Sequence, residues 1–158
     1  MRIERATPAD APAVEALLAT AGLPLDGAAA ALGFGVVARD DDQVVGAAAV
    51  EPFGDAGLLR SVVVAAPQRG TGLGRELVSA AEDLARDAGI RELYLLTESA
   101  ADWFLRLGYT GVDLGRARAA TGGSVEFTLV CATTGVPMRR SLGSASRPQA
   151  DDDVPAGA

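Results

Sequence analysis

The run Gln68-Arg69-Gly70-Thr71-Gly72-Leu73-Gly74-Arg75 limits this chain most, because three alternating glycines stand between a strand-like run, Leu58 to Ala65, and a helix-like run, Leu73 to Ala88. Glycine turns at positive φ and lets the main chain come close to a ligand. The first N–H groups of the following helix lack intrahelical acceptors and carry the positive end of its dipole. Strand, glycine turn and helix in that order make an anion cradle. The spacing is not the dinucleotide fingerprint G-x-G-x-x-G, since the third glycine falls one residue early, and no G-K-[ST] follows to make a P-loop.

A chain of 158 residues that is 49% hydrophobic suits one domain with a real core. It contains no histidine and a single cysteine, Cys131. Histidine bases, Ser-His-Asp and Cys-His nucleophile systems, zinc sites with histidine ligands and an intramolecular disulfide are therefore excluded. All 14 basic residues are arginine, which also removes lysine bases and Schiff-base chemistry. With 21 acidic residues the net charge is −7, unsuited to a nucleic-acid surface. The apolar runs are short and interrupted, and Met1 to Arg5 is charged where a signal peptide needs an apolar stretch. The expectation is a soluble, cytoplasmic monomer or homodimer, with neither nucleic acid nor membrane as partner.

Arg2 to Arg5 reads as a strand, and Thr7-Pro8-Ala9-Asp10 supplies an N-cap, a proline at the first helical position and an acidic first turn. Val14, Leu17, Leu18 and Ala21 then follow helical spacing until Gly22 and Pro24. Phe34 to Arg39 and Gln43 to Val50 read as strands around a turn at Asp40-Asp41-Asp42, followed by the strand Leu58 to Ala65. After the glycine loop, Leu73, Leu77, Ala81, Leu84 and Ala88 line one helix face, with Gly89 as its stop. Glu92 to Thr97 is predicted as a strand, Ala100 to Leu107 as a helix, and Tyr109 to Leu114 and Val125 to Cys131 as the last strands. Periodicity fades from Thr133. The domain is placed at 1–138, with 139–158 as a flexible, solvated tail.

This order, with Val62-Val63-Val64 and Pro67 ahead of R-x-x-G-x-G, resembles the GNAT acyltransferase superfamily. Leu93-Tyr94-Leu95-Leu96-Thr97 and Trp103-Phe104-Leu105-Arg106-Leu107-Gly108-Tyr109 are similar to segments of amino-acid N-acetyltransferases of the N-acetylglutamate synthase type. The small stand-alone N-acetyltransferases associated with arsenic resistance look closer still, with Glu126-Phe127, Cys131 and Met138 fitting their tail. The resemblance implies an α/β fold with a mixed, mostly antiparallel sheet, flanked by helices and splayed at the acetyl-CoA site. It also implies acetyl-CoA as co-substrate, no metal, and transfer to the amine of an amino acid or amino-acid-like toxicant. A weakly catalytic acyl-CoA-binding regulator and a protein N-terminal acetyltransferase are the alternatives.

On that resemblance the main chain of Val62, Val63 and Val64 pairs with the pantetheine arm, and the amides of Arg69, Gly70, Thr71, Gly72, Leu73, Gly74 and Arg75 bind the diphosphate. Many relatives place a tyrosine, the acid for the thiolate, where this chain has Phe104. Phe104 is thus left with cofactor packing, and Tyr109 matches a packing aromatic. Glu51 and Glu98, at strand ends bordering the acceptor cleft of this fold, are the candidate bases. Arg60 lies in an otherwise apolar run and is suited either to gripping an acceptor carboxylate or to pairing with a neighbouring carboxylate on its own sheet.

Overall fold

Asp41 and Asp42 both take positive φ, 50° and 70°, and close a two-residue turn between β2 (Gly35–Asp40) and β3 (Gln43–Phe53). That turn sense matches the twist of paired strands, and aspartate tolerates it better than most residues. The computed structural model describes residues 1–122, 124 and 135–143. The remaining strands are β1 (Arg2–Arg5), β4 (Ala56–Val64), β5 (Glu92–Thr97), β6 (Thr110–Gly111) and β7 (Val136–Ser141). They form one sheet in the order β1-β2-β3-β4-β5-β7-β6, antiparallel throughout except for a short parallel pairing of β4 with β5.

The helices are α1 (Ala11–Thr20), α2 (Ala28–Ala31), α3 (Leu73–Asp87), α4 (Ala101–Arg106) and α5 (Leu114–Thr121). Alternate strand residues serve opposite faces. Val36, Ala48 and Leu59 join Leu73, Leu77, Val78, Ala81 and Ala85 of α3 in the main core. Their neighbours Val37, Ala47 and Val63 pack with Val14 and Leu18 of α1 and Ala28 of α2, while Leu58 packs with Ala117 of α5. The helix α3 lies close to β3. A Cβ at Gly46 would stand 2.7 Å from Leu77 Cδ1 and 3.1 Å from the Val63 carbonyl.

Two elements depart from the sequence reading. The segment after Tyr109 holds only the short β6 and then the helix α5, whose N-cap Asp113 accepts from Arg116 N–H at 3.1 Å. The strand β7 runs to Ser141, with Leu142 buried behind it, although composition places a solvated tail from Arg139. Distant carboxylates hold those arginines in place. Arg139 bonds Glu92 of β5, and Arg140 NH1 lies 2.9 Å from both Glu82 oxygens on α3. Burial alone would raise the Glu92 carboxyl; bonds from Arg139 and Tyr94 and the charge of Arg116 outweigh it and hold the group below its ordinary range. The predicted strand Val125 to Cys131, with Glu126, Phe127 and Cys131, lies outside the described residues. Among the described residues no helix is long and apolar enough to cross a membrane.

The α3–β3 contact sets a stability test. Gly46→Ala should cost about 1–3 kcal/mol through overpacking, read as a lower urea midpoint. Because the added methyl meets the tip of Leu77, the loss in Gly46→Ala/Leu77→Ala should be smaller than the sum of the two single losses.

Candidate active site

The β3–β4 register carries one irregularity. Ala47 faces Val63 and Ala49 faces Arg60, so Ala48 opposes two residues, Ser61 and Val62. Ser61 sits at φ 56°, a left-handed conformation that costs a non-glycine residue about 1–3 kcal/mol. Such a bulge bends and twists its strand. On its other edge β4 pairs with β5 only over Ala56–Leu58, and the two strands then part. Among the described residues, no strand lies beside the edge of β4 from Leu59 to Val64 on that side.

A cleft of about 1300 Å³ fills the gap. Its walls are Leu59 to Val64, the β5 end from Leu95 to Ser99, Trp103 and Phe104 of α4, the glycine loop, and the turn Ala21 to Pro24 after α1. The loop closes one end. Gly70 and Gly72 take φ 80° and 89°, where a side chain is strained. Gly74 serves close approach instead, since a Cβ there would lie 3.1 Å from Trp103 Cζ2. Arg69 Nε donates to the Val64 carbonyl at 3.0 Å, and Thr71 Oγ1 to the Gln68 carbonyl at 2.6 Å, stitching the loop to the end of β4. The first backbone bond into α3 runs from Glu76 N–H to the Gly72 carbonyl, leaving the amides of Leu73, Gly74 and Arg75 without an intrahelical acceptor. Positive backbone dipoles and two guanidinium groups, Arg69 and Arg75, therefore meet at one end of the cleft.

The structure gathers most of the predicted cofactor residues on this cleft. Val62, Val63, Val64, Arg69, Gly70, Gly72, Gly74, Arg75 and Phe104 all line it. Thr71 and Leu73 do not: the Thr71 hydroxyl is turned to the loop, and the Leu73 side chain is buried in the core. Phe104 stacks edge-on between Trp103 and Tyr109, with ring centroids 4.8 and 5.6 Å away. Tyr109 is fully buried away from the cleft and donates to Glu82 Oε2 at 2.8 Å. Burial, and then the adjoining Glu82 carboxylate, push its phenol far above its usual range.

The candidate polar residues separate. Glu98 lines the cleft just past β5 and is the one carboxylate among its described lining residues. Glu51 does not line it: it accepts from Ser124 Oγ and lies 3.7 Å from Arg60 NH1. The Arg60 side chain has 0% exposure. Its NH2 donates to the Asp26 carbonyl at 2.7 Å and its Nε to Ser61 Oγ at 3.2 Å. Arg60 belongs to the cleft wall, and its enclosed side chain ties the bulge at Ser61 to the segment between α1 and α2. Sequence reasoning missed Ser61 and the Ala21 to Pro24 wall. Gly22-Leu23-Pro24 was legible as a helix stop, and the exposed Leu23 beside it is the feature that marks a wall.

The family model described as acetyltransferase (GNAT) family matches residues 9–109. The chain belongs to that family. Among solved structures the fold is similar to N-acetylglutamate synthase from Neisseria gonorrhoeae complexed with coenzyme A and N-acetyl-glutamate, with TM-score 0.76 and 21% identity over 89% of this chain and 35% of that one. It is also similar to Rv2747 from Mycobacterium tuberculosis in complex with CoA, with TM-score 0.71 and 24% identity over 89% and 99% of the two chains. In sequence, a 52-residue stretch is 44% identical to N-alpha-acetyltransferase 80 of Mus musculus, covering 33% of this chain. The chain spans 17% of the length of that mouse protein and 35% of the synthase.

The cradle predicts ligand-linked stability, since a site formed only in the folded state stabilises it on binding. CoA should raise the melting temperature of the wild type, and Gly72→Asp and Gly74→Glu, checked as folded by circular dichroism, should abolish that rise. Retention of the full shift by both variants would remove the loop from the cofactor site. A second expectation concerns pH. With its ionisation displaced upward, Tyr109 stays neutral through the ordinary phenol range near pH ~10, so kcat/KM should show no alkaline loss that Tyr109→Phe removes. A limb that disappears in Tyr109→Phe would make that phenol a catalytic acid.

Proposed function

We propose that this acetyltransferase moves the acetyl group of acetyl-CoA to the primary amine of a small amino-acid-like acceptor. One observation carries the reading: a single cleft joins the anion cradle, the open edge of β4 and Glu98, the one carboxylate among its described lining residues, and continues to the turn after α1. The β4 edge offers main-chain partners to an extended pantetheine arm and donors to the thioester oxygen, as an added strand would use them. Glu98 takes the proton of the acceptor ammonium, directly or through one water. The freed amine then forms the N–C bond while the C–S bond breaks, and the nitrogen gives up its surplus proton to water. No tyrosine is among the described lining residues, so the CoA thiolate leaves without a phenol acid and takes its proton from water. Glu51, held by Ser124 and near Arg60, supports the floor of the site rather than the proton transfer.

The similarity to a synthase complexed with N-acetyl-glutamate, an acetylated amino acid, supports an amino-acid acceptor. The similarity to the arsenic-resistance enzymes extends the proposal to amino-acid-like toxicants. A peptide N-terminus is the second reading, favoured by the stretch shared with N-alpha-acetyltransferase 80. Arg60, enclosed as it is, acts here as a positioning residue for the acceptor wall.

The test is a mass-spectrometric screen of acetylated products over amino acids, simple amines and peptides. Free amino acids should give the highest kcat/KM, and Glu98→Gln should lower kcat. Arg60→Ala should slow carboxylate-bearing and carboxylate-free amines by the same factor. A loss confined to carboxylate-bearing acceptors would show that Arg60 turns outward to grip them, at about 1.5–3 kcal/mol per charge-assisted bond. Binding of acetyl-CoA with no turnover on any amine would mark the domain as a sensor instead.

A further inference from the structure

A second, shallower cleft of about 350 Å³ runs along α3 from Arg75, lined by Arg75, Ser79, Glu82, Arg86, Arg106 and Arg140 among others. Four guanidinium groups converge there against one carboxylate, on a chain whose net charge is −7. That carboxylate is already engaged: Glu82 accepts from Arg140 NH1 at 2.9 Å through both oxygens and from the Tyr109 hydroxyl at 2.8 Å. Arg86 is engaged as well, with Asp83 at 3.0 Å and the Leu142 carbonyl at 3.1 Å. Arg75 and Arg106 make no hydrogen bond or ion pair among the described residues, and both are exposed. Two uncompensated guanidinium groups on one cleft repel each other, and a phosphate monoester between them would turn that repulsion into charge-assisted bonds.

The position selects the anion. Arg75 sits in the first turn of α3 and lines both this cleft and the large one, so an anion here lies next to whatever occupies the glycine cradle. Coenzyme A carries, besides its diphosphate, a 3′-phosphate on the adjoining ribose. We infer that the cleft between α3 and α4 receives the ribose 3′-phosphate of acetyl-CoA, held by Arg106 of α4 and Arg75 of α3, with the Ser79 hydroxyl as a further donor. The inference rests on acetyl-CoA occupying the large cleft, and it makes the domain selective for CoA over its 3′-dephospho form.

Calorimetric titration of CoA and of 3′-dephospho-CoA into the wild type and Arg106→Ala tests this. The wild type should prefer CoA by about tenfold or more, the effect of one charge-assisted bond, and the preference should shrink as salt rises. Arg106→Ala should bring CoA toward the affinity of the dephospho form while leaving the latter unchanged. Equal wild-type affinities, or an Arg106→Ala loss that is the same for both ligands, would overturn the assignment. Failure of both ligands to bind the wild type would overturn it together with the co-substrate reading, a pattern distinct from the other two.

Discussion

The parting of β4 from β5 is the constraint on which the rest of this molecule depends. Three residue pairs join the strands, after which, among the described residues, β4 pairs with β3 and β5 with β7 alone. An unpaired strand edge inside a fold is costly unless its polar groups find other partners. Here the edge faces the large cleft, so the unmet bonding capacity of the main chain is directed at a ligand. The bulge at Ser61 bends β4 as the strands separate, and Trp103 of α4 fits against Gly74 at the head of α3. The strained backbone and the close helix contact thus both border the large cleft.

Arginine supplies every cation in this chain, and several of its pairs act across long stretches of sequence. Arg140 with Glu82, Arg139 with Glu92, and Arg39 with Glu4 and Asp10 join elements that local pattern does not connect. Glu82 is buried, and removing its partner would leave a carboxylate inside the core, a change that commonly costs about 3–5 kcal/mol. These pairs hold β7 on the sheet and α3 on β7. Arg60 works in the same way on the opposite face, where its bonds to Asp26 and Ser61 tie the segment after α1 to the bulged part of β4.

What could be read from the chain divides along the same line. The glycine loop was legible because its requirements are local: positive φ at Gly70 and Gly72 and a close neighbour at Gly74 restrict the residue type at each position. The Asp41-Asp42 turn and the amphipathic α3 were legible for the same reason. The helix α5 was not, since Leu114-Gly115-Arg116-Ala117-Arg118 has little apolar periodicity, although Asp113 carried a cap signal. Nor was β7, whose Arg139-Arg140 look solvated until Glu92 and Glu82 arrive from 47 and 58 residues away. Arg60 stood out as an arginine in an apolar strand, but nothing near it in sequence announced the Asp26 carbonyl or the bulge at Ser61. At the site, the residues that local pattern marks lie together on the cleft, whereas the partners of Arg60 and Glu51 come from distant parts of the chain.

Amide hydrogen exchange with and without CoA bears most directly on the claim that an open β4 edge and the glycine loop together form the cofactor site. CoA should slow exchange in peptides covering Leu59 to Val64 and in those covering Arg69 to Arg75, while β1 and β2 stay unchanged. Protection of the loop without protection of Leu59 to Val64, or protection confined to other elements, would contradict the account.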